Sequence, residues 1–252
     1  MSALNPYTMI MNVSSITREL EAAGMRLEIG SDFAAYRRLR NAQRDRSALY
    51  PMFDVASSYV DERNAFWVCG FNDRDELVHT QAIRSLDMND MTLGQHINTH
   101  RHKYITPNST PDPDRTFYTQ PPALKTITGK VCYHGEFWLS GGEGGHRNQG
   151  FTALLSRVVF ELALKMWTPD YVFGFVPSIL AFKGIPVRYG YMHCEPGVWL
   201  GPNDEITAEE ALVWMHRSDI ITFLETQPKA LSQERRMPER RRAMMSNFGV
   251  VA

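Results

Sequence analysis

The chain has 252 residues, 43% hydrophobic and 22% charged, with a formal net charge of −1, enough to bury one substantial core without a second domain. The near-zero charge supplies no global field for nucleic acid or anionic membrane, and no apolar run approaches the about 20 residues of a membrane span. Cys69, Cys132 and Cys194 are too few and too scattered for a disulfide framework, and no secretory leader opens the chain, so a cytoplasmic protein without nucleic-acid or membrane partners is expected.

Taken in chain order, Ser14 or Ser15 caps a first helix through Ala23, which Gly24 ends. Residues 25–29 alternate as a strand. Ser31 or Asp32 caps a second helix with Phe33, Tyr36, Leu39 and Ala42 on its apolar side. Its other face carries Arg37, Arg38, Arg40, Arg44 and Arg46 and reads as solvated. Residues 65–71 and 77–86 are strands of an antiparallel hairpin about the polar turn 72–76. From 88 to 130 the periodicity fails, and prolines at 107, 111, 113, 121 and 122 punctuate a polar insertion. An insertion of that length reads as a substrate-side lid or a contact in a homodimer. His96 and His100 share a face of any helix there, but His102 does not, and no Cys or acidic residue completes a set, so no metal is expected.

Residues 131–139 (VCYHGEFWL) read as a strand. A glycine-rich loop follows, Gly144-Gly145-His146-Arg147-Asn148-Gln149-Gly150, and then a helix with Phe151, Leu154, Leu155, Val158, Val159, Leu162 and Met166 on one stripe. Strand, glycine loop and helix together offer unpaired N–H groups and a positive dipole end to an anion. A diphosphate is the guest of the right charge. The GxxxxGK[ST] loop is absent, and Gly142, Gly144, Gly145 and Gly150 do not keep the GxGxxG register. Arg147-x-x-Gly150-x-Thr152 instead resembles the acyl-CoA pyrophosphate loop of the GNAT superfamily of acyl-CoA-dependent acyltransferases. Thr152 departs from the small residue usual at its slot.

Downstream, residues 171–176 (YVFGFV) form a buried strand, and Ser178 caps a short helix through Lys183. A strand pair follows around 191–194 and 198–200, with the turn Glu195-Pro196-Gly197 between. Gly190-Tyr191 stands where the family often has Gly-Phe, and the resemblance runs from about residue 131 to 200. Thr207 starts a last helix through about Glu225, with Glu209 and Glu210 in its first turn. A charged tail occupies 229–252.

The resemblance implies an α+β fold: a single GNAT-like domain over 1–228, its central mixed, mostly antiparallel sheet flanked by helices, with the insertion before the cofactor strand. It further implies an N-acyltransferase moving an acetyl or longer acyl group from acetyl-CoA or another acyl-CoA to a small-molecule amine acceptor. Arg147, Asn148, Gln149, Gly150, Phe151 and Thr152 would hold the diphosphate, with Ser140, Gly142 and Ser178 nearby. For the base, Glu136 leads and His134 follows, since strand alternation puts both on one face with Cys132 and Trp138. The family's tyrosine acid has no counterpart, because Pro186 fills its slot. The thiolate then leaves unassisted or takes its proton from Tyr189, Tyr191 or water. Two other readings stand beside this one. Phe53-Asp54, Trp67 and Arg84 loosely resemble acyl-homoserine-lactone synthases, and Pro186 suits an acyl-CoA-binding protein without turnover.

Overall fold

The computed structural model describes residues 6–43 (side chains from residue 10), 46–105, 112–119, 121–141, 146–147 and 149–226. The tail 229–252, Arg44, Gly142, Gly144, Gly145 and Asn148 lie outside them.

The architecture is α+β. Helix α1 (Pro6–Ala22) precedes strand β1 (Arg26–Gly30) and helix α2 (Phe33–Asn41). Ser14 and Ser15 sit inside α1 rather than at its start. The cap of α2 is Asp32, whose carboxylate accepts the Ala35 N–H at 2.9 Å. Strands β2 (Ala65–Phe71) and β3 (Leu77–Met88) form the expected hairpin, and β3 extends two residues beyond the expected end. The insertion contributes α3 (Leu93–Thr99) and the short strand β4 (Phe117–Tyr118). Then come β5 (Gly129–Leu139), α4 (Phe151–Trp167), β6 (Tyr171–Pro177), and the short helices α5 (Ser178–Phe182) and α6 (Ile185–Arg188). Pro177, not Ser178, occupies the N-cap of α5, with no side-chain cap bond.

Three strands and a helix close the described chain: β7 (His193–Glu195), β8 (Val198–Leu200), β9 (Ile206–His216) and α7 (Arg217–Glu225). Here the structure corrects the helix expected from Thr207. Residues 210–213 and 215 are buried, and a continuous apolar run has the same look in a covered strand and in a helix. The helix begins only where Asp219 and His216 build a capping box. Nor are β7 and β8 a hairpin. Both pair with β9, His193–Glu195 against 212–214 and Val198–Leu200 against 206–209, so they form an interrupted edge along one neighbour.

The nine-stranded sheet runs β1-β2-β3-β5-β6-β9-β8-β4, with β7 also on β9. All pairings are antiparallel except β5 with β6. One face packs α1, α4 and α7 through Leu20, Leu155, Val159, Phe160 and Ile220. The other packs α2 and the insertion through Phe33, Tyr36, Phe53, Ile97, Tyr104 and Trp199. The insertion is therefore part of the core, with β4 completing the sheet on β8. No described helix is long and apolar enough to cross a membrane.

Candidate active site

The one parallel pair is also where the sheet opens. β5 and β6 pair only at Val131↔Tyr171, Cys132↔Val172 and Tyr133↔Phe173. Beyond Tyr133 the strands diverge, and a cleft of about 230 Å³ fills the gap. Gly174 stands at the fork, where a Cβ would lie 2.7 Å from the carbonyl oxygen of His134.

A bulge aims the side chains of β5. Gly135 pairs with Ala82 and Trp138 with Thr80, so two residues of β5 oppose Gln81 alone. Glu136 takes the extra turn at φ +58, a left-handed conformation rare outside glycine. The expected common face for Cys132, His134, Glu136 and Trp138 is thereby broken. Cys132 and His134 point toward α4, whereas Glu136 and Trp138 meet arginines on the α2 side.

Glu136 is buried and both its oxygens accept protein donors. Oε2 pairs with Arg40 Nε and, at 3.5 Å, with Arg46; Oε1 accepts the Tyr50 N–H at 3.1 Å. The Thr80 hydroxyl donates to the Glu136 carbonyl at 2.8 Å and receives Arg46 at 2.8 Å. Arg40 and Arg46 thus correct the expectation of a uniformly solvated arginine face. Arg40 is 2% exposed, and Arg46 lies past the end of α2 with its guanidinium 4.9 Å from the Trp138 ring.

His134 sits in a fixed chain. Its Nδ1 lies 3.0 Å from the Tyr191 hydroxyl and its Nε2 3.1 Å from Gln81 Oε1. Gln81 Nε2 donates to the Leu155 carbonyl at 2.9 Å, which makes Gln81 Oε1 the acceptor from His134 and Tyr191 the donor to it. Burial pushes His134 down to about 3 and holds Tyr191 well above the ordinary phenol range. The pair is a neutral hydrogen bond. Tyr189, pushed up to about 12 by burial, packs on Phe137 at 4.2 Å between ring centroids.

Sequence reasoning missed Glu210, assigned there to a helix. On β9 opposite Pro177, it is 5% exposed and lines the same cleft as the arginines. Its Oε2 accepts the indole N–H of Trp199 at 2.9 Å. The cue was a charged residue opening the apolar run 211–213.

A second cavity of about 780 Å³ adjoins the cleft through Phe137, Trp138, Leu180 and Tyr189, and reaches Arg147, Gly150, Thr152, Ala153 and Arg188. Gly150 caps α4 at φ +84, with no side-chain cap bond on the helix N-terminus. Arg147 Nε donates to the Leu139 carbonyl at 2.6 Å, fixing its stem beside the groove. Other loop residues lie apart. The Phe151 side chain is 1% exposed in the core, Ser140 lines a separate hollow near the β2–β3 turn, and Gln149 and Ser178 do not line the groove. Phe53, Asp54, Trp67 and Arg84 are absent from its walls too. Arg84 instead donates to the Met52 and Tyr59 carbonyls at 2.9 Å, holding that segment on the sheet. The His96 and His100 rings lie 4.6 Å apart, tilted at 53°, and among the described residues no three His, Cys, Asp or Glu side chains gather around a metal position.

No family model matches the chain, and no curated protein matches it in sequence. Among solved structures it is similar to the aminoglycoside acetyltransferase AAC(6')-Ib in complex with coenzyme A and kanamycin, at 10% identity over 79% of this chain and 98% of that one, TM-score 0.42. It is also similar to FeeM, an N-acyl amino acid synthase from uncultured soil microbes, at 11% identity over 83% and 99%, TM-score 0.42. A mutant of the spermidine N-acetyltransferase SpeG from Vibrio cholerae is similar at 9% identity over 79% and 97%, TM-score 0.43. At such identities and scores the likeness is one of general form and assigns neither substrate nor chemistry.

Proposed function

We propose that the protein is an N-acyltransferase that takes its acyl group from acyl-CoA. The observation that carries this reading is one groove with a different chemistry at each end. At one end a 17-residue helix, whose N-cap Gly150 offers no side-chain cap bond, starts near Arg147 and Arg188, a cationic, N–H-rich place for a diphosphate. At the other, two parallel strands part and leave their facing backbone edges unpaired with each other. A thioester laid in that fork meets β5 where the bulge takes residues 136 and 137 out of regular pairing, and an N–H of that segment would bind the oxyanion.

The acid–base roles follow from surroundings. Glu136 anchors two arginines and holds a bulge, so we place the amine proton on Glu210 in the same cleft. His134 lines the cleft too, but both its ring nitrogens are engaged, by Tyr191 and by Gln81. Tyr189 lines both cavities and, kept protonated, is placed to donate to the departing sulfur.

Calorimetry with CoA tests the groove. The native protein should bind CoA, and Gly150→Val should abolish binding while a melting curve still reports a folded protein, because a branched side chain fills the diphosphate's space. Unchanged affinity in the variant would remove the cofactor assignment. A thiol-release assay with acetyl-CoA, longer acyl-CoAs and a panel of amines then separates an enzyme from a binder, since CoA binding with no thiol release on any amine leaves a binding protein.

A further inference from the structure

Two guanidinium groups and one carboxylate meet at the acceptor end of the cleft. Arg40 and Arg46 both pair with Glu136 Oε2, and all three line the cavity. Their exposures are small: 2% for the Arg40 side chain, 1% for Glu136 and 13% for Arg46. One positive charge is left over in this triad, in a site where an unpaired ion is costly.

The excess belongs to Arg46. Its contact with Glu136 is the long one, at 3.5 Å, and its NH1 rests on two neutral acceptors, Gln43 Oε1 and Thr80 Oγ1, each at 2.8 Å. Those contacts and the Trp138 ring hold the fork in place before any ligand arrives. Burial and the neighbouring Arg40 lower Arg46 to about 10, the direction a nearby anion reverses. In the proposed pose the CoA phosphates are not that anion, because their cations, Arg147 and Arg188, line the adjoining cavity, whose walls include neither Arg40 nor Arg46.

We infer that the acceptor is an amine that also carries a carboxylate, with Arg46 binding the carboxylate and Glu210, which lines the same cleft, receiving the amine. This rests on the acyltransferase reading and narrows its substrate class to amino acids in the broad chemical sense. A planar fork suits a planar carboxylate, and a lysine in its place would offer only a point charge.

The test uses the full-length protein and matched acceptors: aliphatic and aromatic α-, β- and γ-amino acids, each beside its carboxamide. Calorimetry is run with and without CoA, and thiol release is followed with acetyl-CoA. At least one acid should bind at least tenfold more tightly than its amide, with turnover confined to the acids. Arg46→Met should erase that preference, through KM for the acid, and Arg46→Lys should keep part of it. A purely structural role for Arg46 would instead depress acids and amides alike and leave their ratio unchanged. Amides bound and acylated as well as the acids, or no acid bound by a protein that binds CoA, would overturn the inference. Should CoA itself fail to bind, the acyltransferase reading falls, while the acid-to-amide ratio on the CoA-free protein still decides the charge preference of the cleft.

Discussion

Glu136 and Glu210 are both buried and line one cleft, and Glu136 accepts two arginines where Glu210 accepts the Trp199 indole. Glu136 is tied to Arg40, Arg46 and the Tyr50 N–H, and those ties hold its backbone at φ +58, a conformation that costs on the order of 1 kcal/mol or more for a residue with a Cβ. Removing one partner of a buried ion pair costs about 3–5 kcal/mol. Glu136→Gln should therefore lower the melting midpoint by roughly 10 °C for a chain of this size, and a variant that melts with the native protein would show the triad to be dispensable. Glu210→Gln keeps a side-chain oxygen for the Trp199 indole but cannot take a proton. It should retain CoA affinity and lose about 10²-fold or more in turnover. Near-native turnover would move the base elsewhere, the Tyr191–His134 pair being next in line.

What was legible in the sequence was legible element by element. The β2–β3 hairpin, strand β5, the long helix α4 and strand β6 follow from β-branched and aromatic runs bounded by turn residues and from the apolar stripe of α4, although β2 is buried throughout. Strand β9 was not legible as a strand. Covered on both faces and flanked by β6 and β7–β8, it carries apolar residues without alternation, and Glu209-Glu210 imitates the acidic first turn of a helix. That misreading hid Glu210. The bulge in β5 hid the second feature of the site, since one extra residue turns Glu136 from the α4 side to the α2 side, and its one local sign, Gly135 inside the strand run, does not say which side chain is re-aimed. Arg46 was hidden for a different reason. It follows a helix whose Arg37 and Arg38 are exposed, and only tertiary packing against Trp138 and Thr80 separates it from them. Of the glycine loop, the described residues show Gly150 at φ +84 starting α4 with Arg147 nearby, a local turn-and-helix signal that sequence can carry.

On the scale of the whole molecule, buried histidines tie stability to pH. His79 and His134 are each pushed down to about 3 by burial, and His96, in the insertion, to about 4, by burial first and His100 second. All three are neutral in the folded chain at pH values where the unfolded chain, with an ordinary imidazole near 6.5, takes up protons. The unfolded state then binds more protons, so stability is fully present above about 6.5 and is lost as pH falls toward the folded values. The two fully buried rings should each contribute a slope of about 1.4 kcal/mol per pH unit below that point. Glu161, raised by burial, acts in the opposite sense near the ordinary carboxylate range, and Asp61, held at about 2 chiefly by Arg63, enters only at the acid end. Between 6.5 and 5 the depressed histidines set the sign, with Glu161 working against them. Urea midpoints across that window should fall steadily with acidification, and His134→Gln should flatten the fall by one ring's share while lowering stability at pH 7. A native profile flat from pH 7 to 5 would mean that these rings reach solvent in the folded protein, and with it the neutral Tyr191–His134 bond beside the cleft would be lost.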